Sequence, residues 1–376
     1  VGGDYARTID FSSLAHLLDE APHGAALDET RKRRIERTLR ELSEFPATLF
    51  SEDRKTCFRS FEEAHRALES RVEAFTGLAR ARQIGRLEIE NQYRADVHDA
   101  LFDAFTYDAI PEADRKAFPP VLVHVHADDT TEFGGIDLLL RTLGEVGIVR
   151  VLVTFSTPFD EPARPSMGLD VAKVAVTRGD VFVQQSTAPL ADFVASGVQL
   201  SARSRGSSVL SIYTGADTTV PGIDAFMSAA LAADSRTVPA FRFDPENGTE
   251  WADRFSAGEN EQPDETWASE TIDVRSGENI ESRVFSTTPV DALAIDSRFG
   301  KDFLVIAPSV QSPHLVELTS FFELDEASRA RALPYIWVRG DEEILLRVVL
   351  APAIVRTVDA IRTRWKMIQE WSGLDS

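Results

Sequence analysis

The sequence has one cysteine, Cys57, in 376 residues. No internal disulfide can form, which fits a cytoplasmic protein. A single thiolate also cannot hold an iron–sulfur cluster, which takes several. The lone thiol is read as inert filler rather than as a nucleophile. No apolar run approaches the roughly 20 residues of a membrane-spanning helix, so no membrane span is expected. The start, VGGDYARTIDF, has neither the basic nor the apolar region of a signal peptide and no initiator Met; a processed chain or a piece of a longer polypeptide would begin this way. Positive charge is scarce too. Lys and Arg number 40 against 61 Asp and Glu, a formal net charge of −21. Such a surface is a poor partner for nucleic acid and serves solubility or a basic partner protein. The Gly-x-Ser-x-Gly elbow of serine hydrolases is absent, as is the Gly-x-Gly-x-x-Gly fingerprint of dinucleotide folds.

What is present is ordinary globular composition, 43% apolar and 27% charged, in a chain long enough for two or three domains. The most informative stretch is 119–155. An apolar run at 121–125 stops at Ala127-Asp128-Asp129, a helical pattern follows at 136–143, and a second apolar run fills 148–155. Strand, loop, helix, strand is the unit of a parallel α/β sheet. Such sheets place ligands at the carboxyl ends of their strands, so the loops 127–135 and 156–168 are the places to look for chemistry.

Three segments follow from the pattern. Residues 1–118 are expected to be mostly helical, with helices over 30–42, 62–93 and 97–105. Residues 119–240 form the α/β core. A helix near 169–178, a strand at 181–185, a helix at 189–201, a strand at 209–213 and a helix at 223–233 alternate there, as in a doubly wound sheet. The prolines Pro158, Pro162 and Pro165 exclude a central strand just after Phe155. Residues 241–376 form an α+β extension: a polar, turn-rich stretch with aromatics to anchor it, then strands at 271–274 and 302–306, a helix at 324–332, a strand pair at 335–339 and 344–350, and a long terminal helix over 353–371. The aromatics Trp251, Phe255, Trp267 and Phe285 are expected to anchor their own loop, with docking of a neighbour as the alternative.

Two constellations carry candidate chemistry. His124, His126 and Asp128 alternate along one strand and therefore share a face. A His-x-His pair at a strand end can ligate zinc or iron, with Asp160 or Glu161 as further ligands. The second constellation rests on a resemblance. Gly179-Asp180-Val181-Phe182-Val183-Gln184-Gln185-Ser186, a helix, and then Ser208-Val209-Leu210-Ser211-Ile212-Tyr213-Thr214 resemble the thiamine-diphosphate domain of pyruvate:ferredoxin oxidoreductases and related 2-oxoacid oxidoreductases. Val238-Pro239-Ala240-Phe241-Arg242-Phe243-Asp244-Pro245 resembles the segment that follows that domain. Leu333-Pro334-Tyr335-Ile336-Trp337-Val338 and the last helix resemble the tail of large bacterial members.

The resemblance spans roughly residues 60–376. It implies an α/β fold of thiamine-diphosphate-binding type with a mostly parallel, doubly wound sheet. It also implies an oligomer with other subunits or domains of an oxidoreductase-like complex as partners. In that family a Gly-Asp-Gly motif and a later Asn-containing Gly-Gly motif hold the coenzyme's diphosphate and its Mg²⁺, because carboxylate and amide oxygens suit a hard cation and glycines let backbone approach phosphate.

Here the first motif reads His126-Ala127-Asp128-Asp129-Thr130, with neither glycine. The second reads Ser156-Thr157-Pro158-Phe159-Asp160-Glu161-Pro162, with no Asn, no Gly-Gly and two carboxylates that would repel phosphate oxygens. Only Asp128 or Asp129 stands for the family's metal aspartate. The expectation is a fold retained with its cofactor site lost: no catalytic residue, no cofactor in this chain, and a structural or regulatory role in a complex. The alternatives are an active 2-oxoacid:ferredoxin oxidoreductase component using thiamine diphosphate and Mg²⁺ through an altered loop, and a metal-binding protein using His124, His126 and Asp128.

Overall fold

The computed structural model describes residues 11–19, 28–50, 56–129, 133–144, 148–160, 163–218, 220–276, 279–307, 309–339 and 345–374. It is a mixed α/β structure built on a largely parallel sheet of seven strands. In chain order these are β1 (Cys57–Phe58), β2 (Val121–His126), β3 (Val149–Phe155), β6 (Phe182–Thr187), β7 (Ser208–Tyr213), β8 (Phe241–Phe243) and β9 (Phe255–Ser256). Their order across the sheet is β1-β2-β3-β7-β6-β8-β9. Pairs β1/β2 and β6/β7 are parallel, while β8 and β9 run antiparallel at the far side. A short antiparallel pair, β4 (Phe159–Asp160) with β5 (Arg164–Pro165), sits in the loop after β3.

Contacts divide the chain into two compact units. The first is Val1–Val125, Thr131–Val151 and Arg205–Ser207; the second is His126–Thr130, Leu152–Ser204 and Ser208–Ser376. These boundaries run through β2 and β3 rather than along the three segments drawn from the sequence, because a sheet strand contacts its neighbours in space and not its neighbours in the chain.

In the first unit, helices Phe11–Asp19, Glu29–Phe50 and Phe61–Ile89 account for most of the N-terminal segment. The long helix Phe61–Ile89 buries Phe61, Ala64, Leu68, Phe75 and Leu78 at three- and four-residue steps. Near its end Glu88 is buried, with Arg31 Nε at 2.8 Å and Arg34 Nε at 2.7 Å. Arg34 also stacks on the Tyr93 ring, 3.8 Å from its centroid. A buried carboxylate is tolerable only when paired in this way. Arg31 and Arg34 of the helix Glu29–Phe50 supply that pairing. The pair β1/β2 was not legible in the sequence: two residues, Cys57 and Phe58, are too few to show a period.

In the second unit, β6 is buried along its whole length although it carries Gln184, Gln185, Ser186 and Thr187. Buried amides must be bonded. Gln184 donates to Phe193 O at 2.9 Å and accepts from Arg242 Nε at 2.8 Å, and Gln185 donates to Pro239 O at 2.9 Å. The helices Met167–Val176, Ala191–Arg203 and Ala225–Asp234 fall where alternation predicts them.

Beyond Phe243 lie an antiparallel hairpin, β10 (Ala268–Ser276) with β11 (Asn279–Thr287), and a four-stranded sheet of order β12-β15-β14-β13. Its strands are β12 (Phe303–Ile306), β13 (Leu315–Glu317), β14 (Leu333–Arg339) and β15 (Leu345–Leu350). The predicted strand 271–274 thus lies within one nine-residue arm of this hairpin. The helix expected over 324–332 shrinks to Glu326–Arg329, where the Asp325 carboxylate accepts from Ser328 N at the N-cap and the chain must then straighten to enter β14. The terminal helix Pro352–Ser372 buries Ile354, Val358, Ile361, Trp365 and Ile368 and stops at Gly373, whose φ of 70° suits glycine. Phe243, Trp251 and Phe255 pack against one another with tilted rings, and Trp371 packs on Phe255, at 4.9–5.5 Å between ring centroids, so Trp251 and Phe255 do anchor their own segment. No helix among the described residues is long and apolar enough to cross a membrane.

Candidate functional site

The carboxyl ends of β2 and β3 lead into the loops that sequence reasoning singled out. On β2 the even positions Leu122, His124 and His126 form the less buried face, and Val121, Val123 and Val125 are buried. His124 and His126 therefore share a face, as alternation predicts. Ala127 N donates to Thr154 O at 2.8 Å and Asp129 N to His126 O at 3.1 Å, which turns the chain sharply after β2.

Asp128 emerges from that turn aimed at the next loop. Its Oδ2 accepts from Ser156 N at 2.7 Å, from Ser156 Oγ at 2.8 Å and from Thr157 N at 3.1 Å. His126 Nδ1 is 3.6 Å from the same oxygen, an ion pair only when the imidazole is protonated. One carboxylate oxygen thus gathers the start of the loop after β3. This is a charge-assisted clamp between two loops. An oxygen already serving three donors is a poor ligand for a divalent cation, which demands those same lone pairs. Removing the carboxylate in Asp128→Ala is expected to cost about 1–2 kcal/mol, with Asp128→Asn losing roughly half of that; urea denaturation monitored by far-UV circular dichroism measures both.

Two glycines near these strand ends, Gly168 and Gly215, are spent on protein packing, while Gly135 in the loop after β2 has open space where a Cβ would lie. A Cβ at Gly168 would lie 2.6 Å from the Phe155 ring, and a Cβ at Gly215, φ 93°, would lie 1.8 Å from Ala225 O. Each glycine lets a helix start close against the sheet. Neither leaves open backbone for a phosphate to approach.

The loop after β3 is also pinned along its length. Phe159 is fully buried, its carbonyl accepts from Arg298 Nη2 at 3.0 Å, and its ring meets Phe299 edge-on with centroids 6.3 Å apart. Thr357 Oγ1 of the terminal helix donates to Ala163 O. Asp160, on β4, is exposed. Thr130, Glu161 and Pro162 lie outside the described residues.

No protein-family model matches the chain, and no curated protein matches it at a significant level.

Among the described residues no group of three or more His, Cys, Asp or Glu side chains is placed to hold a metal ion. The structure brings His126 and Asp128 together and leaves Asp160 on a different strand pair. Of the two aspartates that could stand for the family's metal ligand, Asp128 has one oxygen, Oδ2, already bonded by three donors of the loop after β3. What sequence reasoning missed is the partner of Asp128. Ser156 directly after a buried strand, with Asp128 in the turn just after the preceding strand, is the signal that could have found it.

Proposed function

We propose that this chain is a thiamine-diphosphate-type, doubly wound domain that has lost its coenzyme and serves as a structural or regulatory part of a 2-oxoacid oxidoreductase-like assembly. The observation that carries the reading is the Asp128 clamp: Oδ2 is committed to Ser156 and Thr157 of the protein's own loop. The strand–helix alternation and the Phe241-Arg242-Phe243 strand support the fold part of the proposal. The motif resemblance supplies the kind of assembly. The strongly acidic surface, −21 overall, suits contact with a basic neighbouring subunit.

Isolation of the native assembly through a tag on this chain tests the proposal. The expected result is a defined partner that carries an iron–sulfur chromophore or bound thiamine diphosphate, with 2-oxoacid-dependent reduction of an artificial electron acceptor that is unchanged when Asp128 is replaced by asparagine. A chain that elutes alone under native conditions, or an assembly whose activity vanishes with Asp128→Asn while the variant remains folded and assembled, contradicts it.

A further inference from the structure

Among the described residues the hairpin β10/β11 forms a sheet of its own, and the outer edge of β11 pairs with no other strand. A two-stranded hairpin is marginal in water by itself, and an open edge is a template for a further strand. The side chains of β11 indicate which strand that is. Ile280 is 72% exposed and Val284 62%, on the same face of β11 as Ser282. Glu281 and Arg283 lie on the other face. Arg283 Nη2 is 3.3 Å from Glu281 Oε2, and its guanidinium lies over the Trp337 ring, 5.0 Å from the centroid. The run Ile280-Glu281-Ser282-Arg283-Val284 is therefore complementary to its own reverse: apolar, acidic, neutral, basic, apolar.

We infer that β11 pairs antiparallel with β11 of a second copy of this chain, about a two-fold axis at Ser282. In that register Ser282 faces Ser282, each Glu281 faces an Arg283, and each Ile280 faces a Val284. Directly opposite side chains in an antiparallel pair stand about 4.5–5.5 Å apart at Cβ, close enough for the charges to attract and the aliphatic groups to cover one another. The four charges alternate around a rectangle, so like charges meet only across its longer diagonals. A register centred on one residue closes whichever way that residue's backbone groups point, because the central pair is then either a hydrogen-bonded or a non-hydrogen-bonded one. The carboxylates of β10 do not oppose the pairing. Asp273 Oδ1 accepts from Ser282 Oγ at 2.6 Å and so sits level with the axis, between the second copy's Glu281 and Arg283. Glu270 and Asp273 of the two copies are separated by three strand spacings, about 14 Å, beyond the Debye length of about 8 Å at physiological salt. The chain as a whole carries −21 and repels its like, whereas 280–284 is a locally neutral strip. The inference stands independently of the coenzyme reading, since none of its residues belongs to the loops around Asp128.

Sedimentation velocity of the intact chain over about 1–200 μM tests it, a range suited to an interface smaller than the standard size. The expected result is a monomer–dimer equilibrium. Glu281→Arg and Arg283→Glu each turn both cross-strand attractions into repulsions, and each raises the dimer Kd at least about tenfold. Mixing the two variants restores a dimer, because one then offers two cations at these places and the other two carboxylates. Val284→Lys, a change at an exposed position, also raises the Kd while the far-UV circular dichroism and melting temperature of the monomer stay as they were. Should Arg283→Glu lose its fold along with the Trp337 contact, Glu281→Arg and Val284→Lys decide alone. A chain that stays monomeric over the whole range, a dimer equally tight in Glu281→Arg or in Val284→Lys, or a mixture of folded charge variants that associates no better than either alone overturns the inference.

Discussion

Gly215→Ala is expected to destabilise the protein by more than about 3 kcal/mol, enough to leave little folded material. Two independent costs meet at this position. The backbone sits at φ 93°, which an L side chain rarely adopts, and the added Cβ would lie 1.8 Å from the carbonyl oxygen of Ala225. Backbone cannot yield as a side chain can. The obstacle is the first turn of the helix Ala225–Asp234, fixed by Asp224 Oδ1 accepting from Met227 N at 2.9 Å. Ala216 N reaches Ser228 Oγ at 3.3 Å, and Tyr213 OH lies 3.2 Å from the same hydroxyl, so displacing the helix breaks both bonds. Chemical denaturation of soluble protein measures the loss. Gly179→Ala is the control, because Gly179 shares a positive φ of 74° but a Cβ there meets nothing within 4 Å. Gly179→Ala should cost about 1 kcal/mol, the conformational part alone. Equal losses in the two variants would mean that contact with Ala225 contributes nothing.

Trp365→Ala is the second large effect, about 3–5 kcal/mol. Trp365 is the largest fully buried side chain, at the centre of the terminal helix. Its Nε1 donates to Glu265 O at 2.8 Å, and Arg236 lies over its face. Truncation removes the buried ring, leaves the Glu265 carbonyl with Gln369 Nε2 at 3.4 Å as its remaining partner, and takes the stacking surface from a buried cation. Trp365→Phe keeps most of the buried area and loses chiefly the N–H bond, so it should cost about 1–2 kcal/mol. The ratio of the two losses, read from urea denaturation midpoints, separates packing from hydrogen bonding. A Phe variant as unstable as the Ala variant would assign the effect to the hydrogen bond.

The parts of the fold that are legible in the sequence are those with a repeating period. Ile354, Val358, Ile361, Trp365 and Ile368 mark the terminal helix, and the alternating valines of 121–125 mark β2, because burial acts on a regular element at regular positions. The hairpin β10/β11 was half legible. Ile272, Ile280 and Val284 are exposed, so no buried face imposes a pattern on either arm. Strand β1 is too short to carry a period at all.

At the candidate site the residue types were legible and their assignments were not. Sequence spacing places His124, His126 and Asp128 on one side of β2, but it is silent on what faces them. Asp128 meets Ser156 and Thr157, 28 and 29 positions later, through a parallel crossover. Arg236 was invisible for the same reason. Nothing in Asp234-Ser235-Arg236-Thr237 announces that its guanidinium turns inward beneath Trp365.

The central proposal is that the fold of a coenzyme domain remains while Asp128, which would hold the coenzyme's metal, is bonded instead to the loop after β3. Calorimetric titration of the intact chain with thiamine diphosphate in excess Mg²⁺ tests this most directly. The account predicts no saturable heat up to about 1 mM ligand, a limit that corresponds to about −4 kcal/mol of binding free energy. Saturable binding at micromolar ligand that disappears in Asp128→Ala would contradict it.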